Sequence, residues 1–273
     1  MKLKNTKKII VFILMLYFVL ITVHVFLGIH GASGLLSAKG NISVGLFFAL
    51  QSGGGSSNIL VDILQMSLLT IIGSAFFVYL KNNNIFSNVQ QRIGYATFLK
   101  QSLKNTFGAA AILSLATNLY EMFLINWFYF PFMYKTNDQV YLHAIRSANI
   151  LADDLSEILL FIFLSAIGWG IFAILVFSVG LYIRKNAFYP IIGPLLGLIL
   201  ILLPTLGNMN NLIWHTFSYA WFFFSLVAPG QYTFISQAPP IKPIFAFIIA
   251  TFIYLAIAAV LISVWYKQKI ERE

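Results

Sequence analysis

The stretch Lys81–Thr106, KNNNIFSNVQQRIGYATFLKQSLKNT, is a polar interruption between two long apolar runs, and we call it the interlude. It carries four basic residues and no acidic residue. The apolar runs on either side cover about 59–80 and 107–130. Each is long enough to cross about 30 Å of hydrocarbon as a helix. The chain is therefore predicted to cross a membrane both before and after the interlude.

The composition indicates a membrane protein along its whole length. Hydrophobic residues make up 60% of the 273 residues, charged residues only 9%, and the mean hydropathy is +0.86. A soluble domain has about 25% charged residues on its wetted surface. The apolar runs are continuous, whereas the strands of a membrane barrel alternate between apolar and polar residues. We predict an all-α, polytopic transmembrane helical bundle that forms a single domain over residues 1–273.

Six apolar runs are predicted to span the membrane, and a seventh run is shorter. The six cover about 9–27, 59–80, 107–130, 158–183, 188–206 and 244–266. The seventh, 212–228, ends at Pro229-Gly230. A Gly- and Ser-rich loop, 28–57, joins the first two spans, and its apolar part around Gly45–Leu50 can dip into the membrane interface.

The basic residues predict which side of the membrane each loop occupies. With six spans and a cytoplasmic N-terminus, 13 of the 17 Lys and Arg lie inside, as the positive-inside rule requires; a seventh span lowers this number to 11. Both termini and the interlude are therefore expected in the cytoplasm of a multi-pass cell-membrane protein. Residues 212–228 then form a re-entrant or interfacial outer hairpin. The net charge of +9 is explained by this orientation and not by nucleic-acid binding.

The interlude itself is predicted to form two helices that break at Gly94. Ser87 and Gln90 have the spacing of a capping box at a helix start. The apolar residues of the first helix share one face: Phe86, Val89 and Ile93. The apolar face after Gly94 is a different one: Tyr95, Leu99, Leu103 and Phe107. An amphipathic, basic helix resting on anionic lipid would have the same pattern.

One carboxylate is predicted well inside a span, whereas Asp62 lies at the outer start of the second span and is more simply interfacial. Glu121 lies in the third span, with Asn118 on the same helical face. A carboxylate within the membrane usually faces a cavity or a partner, which makes this pair a candidate for a pathway or gate. A structural hydrogen-bond node, or a Glu near enough to the outer surface to reach water, explains it equally well.

The sequence motifs exclude several kinds of site. There is no cysteine, and the four histidines have no metal-ligand spacing, so no metal site is predicted. No catalytic residue and no enzyme motif is found. The chain lacks a P-loop, so ATP and Mg²⁺ would have to be bound by a separate subunit.

The six-span layout, the helical segment after the second span and the outer hairpin resemble the type-2 permease family of ABC transporters. The residues that resemble the corresponding segment of permeases from low-GC Gram-positive bacteria are Gln91-Arg92-Ile93-Gly94-Tyr95, Phe98-Leu99 and Ser102-Leu103. The resemblance implies a short cytosolic helix that docks in a cleft of the ATPase, with Gly94 as its hinge. The implied coupling residues are Phe86, Val89, Gln90, Arg92 and Ile93.

The function expected from this resemblance is ATP-driven export of a peptide, lipid or other amphipathic compound. The expected partners are a cytosolic ATP-binding subunit, a second permease subunit (identical or related) and membrane lipids. A non-catalytic membrane protein that binds an antimicrobial peptide for immunity is the alternative. An intramembrane hydrolase using Glu121 with His143 or His215 is a further alternative that no motif supports.

Overall fold

A computed structural model describes residues 3–32, 42–51, 56–83, 94–134, 149–206, 211–231 and 240–270. Within these ranges the secondary structure is helical and no strand occurs. A short 3₁₀ helix, Asn186–Phe188, precedes α7. The α-helices are α1 (Leu3–Ala32), α2 (Ile42–Leu50), α3 (Ser56–Ile71), α4 (Ala75–Asn82), α5 (Tyr95–Phe128), α6 (Asp154–Gly180), α7 (Tyr189–Thr205), α8 (Leu212–Trp221), α9 (Phe223–Val227) and α10 (Pro243–Ile270).

Five of these helices are long and apolar enough to cross a membrane: α1, α5, α6, α7 and α10. The pair α3 and α4 passes the same test as a unit, but its two halves are bent by 60°. The prediction of an all-helical protein is confirmed for the described residues, and several of their helices are long and apolar enough to cross a membrane. The prediction of one run over 59–80 did not include the break between α3 and α4.

The break between α3 and α4 lies where the chain packs closely on α5. A Cβ atom on Gly73 would meet the Asn105 carbonyl oxygen at 2.5 Å and the Ala109 Cβ at 2.8 Å. Ser74 stabilises the bend, because its hydroxyl donates to the Thr70 carbonyl at 2.8 Å and accepts from the Tyr189 hydroxyl at 2.6 Å. The bend therefore depends on a small residue at Gly73 and on hydrogen bonds beside it.

Helix α6 is the centre of the bundle. Of its most apolar 18 residues 72% are buried, compared with 22% for α1, whose outer side chains are left to face lipid or a partner. It packs against α3, α5, α7, α9 and α10. Gly168 allows the closest of these approaches, because a Cβ there would strike the Leu226 carbonyl of α9. Gly193 of α7 lies in the same way against the Met66 carbonyl of α3.

Prolines in α7 remove backbone donors, and a neighbouring helix compensates for one of them. Pro194 has no N–H, so the carbonyl of Pro190 has no helical partner four residues later. The Ser67 hydroxyl of α3 donates to that carbonyl at 3.1 Å. This hydrogen bond fastens α7 to α3 close to Gly193.

Helix α2 packs against other helices of the bundle, and the prediction that Gly45–Leu50 can dip into the membrane interface stays a prediction. Most of its residues are buried, and Phe47 and Phe48 both pack edge-on against Phe161 of α6, with ring centroids 5.9 and 5.4 Å apart. The Gln231 side-chain amide, which follows α9, donates to the Phe48 carbonyl. The Gly/Ser-rich loop thus carries a packed helix, because seven apolar residues in nine are enough to bury it.

The two ends of the bundle differ in charge. Tyr17 bonds Thr117 and Phe26 packs on Phe128, so α1 and α5 run in the same direction. Tyr95 at the start of α5 contacts Trp265 near the end of α10, with ring centroids 6.4 Å apart. The basic residues at this end, which we call the basic end, include Lys8, Lys81, Lys100, Lys104, Arg184, Lys185, Lys267 and Lys269. Acidic residues at the opposite end include Asp153, Asp154 and Glu157, which begin α6.

Asp153 and Glu157 have structural roles at that helix start. Asp153 accepts hydrogen bonds from the Ser156 backbone and hydroxyl, and these lower the pKa of its carboxyl below the usual range. Glu157 accepts from the backbone N–H groups of Ile150 and Leu151 at 2.6–3.1 Å. Both carboxylates are thereby used in capping α6 and holding the segment before it.

Candidate functional site

The first candidate site is the interlude at the basic end. The five residues predicted to couple to an ATPase lie outside the described residues: Phe86, Val89, Gln90, Arg92 and Ile93. The structure describes the two ends of the interlude, 81–83 and 94–106. Gly94 is exposed and has a φ of +73°, which favours glycine, and α5 begins directly after it at Tyr95. The role of Gly94 as a hinge stays a prediction. The backbone at Gly94 is non-helical, and a new helix begins at the next residue.

Lys81 fixes the start of the interlude to the end of α6. Its Nζ donates to the carbonyls of Gly180, Leu181 and Ile183 at 2.9, 2.8 and 2.6 Å. The last carbonyls of a helix have no partner within that helix, and a cation there also interacts favourably with the helix dipole. Lys81 therefore joins the chain entering the interlude to the turn between α6 and α7.

A second contact strengthens this junction. The Asn82 side-chain amide donates to the Asn186 side-chain oxygen at 2.6 Å, and Asn186 begins the 3₁₀ helix before α7. The Tyr182 hydroxyl donates to the Leu261 carbonyl of α10 at 2.6 Å. The ends of α4, α6 and α10 and the start of α7 are thus fastened together at the basic end.

Helix α5 is longer than a membrane is thick. Its 34 residues extend about 51 Å, compared with about 30 Å of hydrocarbon. The first two turns carry the exposed side chains of Lys100 and Gln101, while Phe98 and Leu99 are buried. Such a helix has room to project from the basic end by several turns.

The second candidate site is a buried polar cluster around Glu121. Glu121 is 1% exposed and accepts a hydrogen bond from the Gln51 side-chain amide, just beyond α2. Asp62 of α3 is close enough to interact with it electrostatically. Glu121 lies seven residues before Phe128, the end of α5, which corresponds to a depth of about 10 Å.

The same cluster extends to α1. The Tyr17 hydroxyl and the Thr117 hydroxyl share a buried hydrogen bond of 2.8 Å, and Gln65 of α3 is within hydrogen-bond reach of Tyr17. Asn118, predicted with Glu121, is buried beside them on α5. Side chains from α1, α3, α5 and the end of α2 therefore meet at one polar node.

Chemically, this node offers oxygen atoms and neutral donors. A buried carboxyl is stabilised by a donor such as the Gln51 amide, and it can hold a proton or accept from a donating ligand. Among the described residues no group of three His, Cys, Asp or Glu side chains is placed to hold a metal ion.

Comparison with known proteins gives no relative. No protein-family model, no curated protein and no solved structure matches this chain. The function is therefore inferred from the residues of the chain itself.

Sequence reasoning found Asn118 and Glu121 but missed their partners. Gln51 lies in a Gly/Ser-rich loop with no pattern that would connect it to the third span. Tyr17 looks like an ordinary apolar-face residue of the first span. In the sequence Lys81 stands out only as one of the positive charges of the interlude, although its position directly after an apolar run is the signal that it can reach a helix end.

Proposed function

We propose that this protein is the membrane-spanning permease subunit of an ABC transporter of the type-2 kind, which exports an amphipathic compound with ATP hydrolysed by a separate subunit. In this proposal α3 and α4 form one bent span, so that six spans cross the membrane and both termini are cytoplasmic. The basic end then faces the cytoplasm, in agreement with the positive-inside rule. Helices α8 and α9 form the re-entrant outer hairpin between the last two spans.

The strongest support comes from the junction at Lys81. The interlude is continuous in sequence with Lys81 at its start and with α5 at its end. An ATPase that docks on the interlude would therefore displace both. Lys81 holds the end of α6 through three carbonyls, so a displacement of the interlude would be passed to α6 and α7 as well as to α5. The length of α5 supports the same proposal, because it carries Gly94 beyond the hydrocarbon, where a soluble subunit can reach it.

The geometry of α8 and α9 also supports the proposal. Both are too short to span a membrane, yet α9 is buried against the middle of α6 at Gly168. A segment that enters and leaves on one side has this arrangement. Its non-helical backbone at Phe222 and Ala228 is buried among protein side chains, as backbone at that depth must be.

The proposal is tested by isolating the full-length protein from its membrane in mild detergent. A soluble ATPase with a P-loop is expected to co-purify with it. Arg92→Glu and Phe86→Ala are expected to remove substrate-stimulated ATP hydrolysis, while the amount of protein in the membrane is unchanged. Lys242→Glu, a charge reversal at the opposite end, is the matched control and should leave hydrolysis intact.

Two outcomes would contradict the proposal. If no ATPase co-purifies under any mild extraction condition, transport by an ABC mechanism is rejected and a binding or immunity role takes its place. If the ATPase binds but Arg92→Glu and Phe86→Ala hydrolyse ATP as the Lys242→Glu control does, the coupling role of the interlude is rejected.

A further inference from the structure

The seam between α8 and α10 contains polar atoms that have no hydrogen-bond partner. They are Ser218 Oγ and Trp221 Nε1 on α8 and Thr251 Oγ1 on α10. Ser218 is 0% exposed, and all three atoms are shielded from solvent. Buried polar groups are nearly always paired, so three such atoms on two helices in contact require an explanation.

Some hydroxyl groups in the helices donate to their own backbone, whereas Thr106 Oγ1 of α5 is buried without a partner, as the seam hydroxyls are. Thr117 donates to the Leu113 carbonyl and Thr216 to the Leu212 carbonyl, each at 2.8 Å. Thr216 is on α8 itself, only two residues before Ser218. The seam differs from these helix positions because two unpaired hydroxyls, Ser218 and Thr251, lie on two helices that are in contact.

One hydrogen bond joins α8 to α10 about one turn from Ser218 and Thr251. The Tyr254 hydroxyl of α10 donates to the Trp221 carbonyl of α8 at 3.1 Å. Ser218 lies one turn before Trp221, and Thr251 lies one turn before Tyr254. Both helices begin at the end opposite the basic end, because the six residues between α7 and α8 are too few to cross the bundle. Ser218 and Thr251 therefore lie at similar heights in the bundle, each one helical turn nearer to the end opposite the basic end than the Tyr254–Trp221 hydrogen bond is.

An extended residue separates α8 from α9, and the Ser225 hydroxyl of α9 donates to the Tyr219 carbonyl of α8 at 2.6 Å. Phe222 has extended backbone angles (φ −59°, ψ 140°) and separates α8 from α9. Helix α9 is held against α6 at Gly168, whereas the outer residues Leu212 and Ile213 of α8 are 70% and 80% exposed. Opening the seam to a ligand would break the hydrogen bond from the Tyr254 hydroxyl to the Trp221 carbonyl and expose the three unpaired atoms.

We infer that the seam between α8 and α10 is a binding site for the uncharged amide groups of a peptide-like substrate. The Trp221 indole N–H can donate to a peptide carbonyl, and the Ser218 and Thr251 hydroxyls can each donate to a carbonyl or accept from a peptide N–H. None of the three groups is charged, so they offer no compensation for burying a charged ligand.

Aromatic side chains of α8 give the site an apolar wall. The rings of Trp214, Phe217 and Trp221 follow one another along the helix, with neighbouring centroids 6.0 Å apart. They can contact the side chains of an apolar peptide while its main chain bonds the seam. The inference rests on the proposed function for its transport role and names the substrate class: an apolar, uncharged peptide segment.

The test uses the full-length protein in lipid nanodiscs, without ATP or an ATPase. The probe is the blocked peptide acetyl-Leu-Phe-Leu-Phe-amide, and its comparison is the ester analogue in which one amide N–H is replaced by oxygen. Binding to empty nanodiscs is subtracted. The wild-type protein is expected to bind the amide peptide about fivefold to tenfold more tightly than the ester, as one lost hydrogen bond predicts.

Three variants complete the test. Ser218→Ala and Thr251→Val are each expected to weaken amide-peptide binding about fivefold to tenfold, because each removes one hydroxyl with little change of shape. Thr216→Val is the matched control, because its hydroxyl is already bonded within α8, and its binding should equal that of the wild type. If a seam variant fails to fold, the comparison of amide and ester binding to the wild-type protein still decides the question.

The inference is overturned if the amide peptide binds no better than to empty nanodiscs, if amide and ester bind equally, or if Thr216→Val weakens binding as much as the seam variants. Water that satisfies the seam atoms without any peptide would give the first of these results. Because no ATPase is present, this failure is separate from failure of the proposed function. A protein that co-purifies an ATPase but binds no peptide retains the transport role and loses this substrate class.

Discussion

Replacing Lys81 by methionine should destabilise the basic end by about 2 kcal/mol. Lys81→Met keeps the length of the side chain and removes the three hydrogen bonds to the end of α6. A charged hydrogen bond contributes about 1.5–3 kcal/mol when fully buried. Lys81 is only half-buried, so solvent screening lowers the combined contribution of its three hydrogen bonds. We therefore expect about 2 kcal/mol, which is about the largest effect found for a cation at a helix C-terminus.

The measurement is the free energy of unfolding in mixed micelles of dodecyl maltoside and increasing SDS, followed by far-ultraviolet circular dichroism. Lys185→Met is the matched control. Lys185 is exposed at the same end, 6.0 Å from the ring of Phe188, and its loss should change the free energy by less than about 0.5 kcal/mol. Lys81→Arg should fall between the two. Equal stability of Lys81→Met and Lys185→Met would refute the junction that we describe.

Two further predictions concern packing and the buried node, both measured with the same unfolding assay. Gly168→Ala should cost about 3 kcal/mol, because the Leu226 carbonyl cannot rotate out of the way, whereas Gly108→Ala meets no atom within 4 Å and should stabilise α5 by about 0.5–1 kcal/mol. Equal effects would contradict the close approach of α6 and α9. Gln51→Leu should cost about 1–3 kcal/mol by leaving the Glu121 carboxyl without its donor, and the double change Gln51→Leu with Glu121→Leu should cost less than Gln51→Leu alone. A double variant that is less stable than Gln51→Leu would mean that Glu121 has other essential partners.

The apolar runs could be predicted from the sequence because hydrocarbon imposes one strong constraint. A helix that crosses the membrane must present about 20 apolar residues in succession, so the runs that became α1, α5, α6, α7 and α10 were visible without any tertiary information. The start of α5 after Gly94 was also predictable, because the apolar face of the sequence changes there.

The breaks and insertions were not predictable in this way, since they depend on contacts between distant segments. The bend at Gly73 results from packing against α5, and nothing in the residues 59–80 alone requires it. Helix α2 is too short to show a periodic pattern, and its burial depends on Phe161 of α6. The donor to Glu121 is separated from it by 70 residues, a distance at which a single sequence gives no pairing signal.

The bond between Gln231 and Phe48 has a consequence for the order of assembly during synthesis. The two residues are 183 positions apart, so α2 leaves the ribosome long before the segment that satisfies its Phe48 carbonyl. A chain that has emerged only as far as α7 must hold α2 without this partner, and a truncated protein ending there would never acquire it. The Phe48 carbonyl of α2 therefore gains this donor only after the chain has been synthesised as far as Gln231.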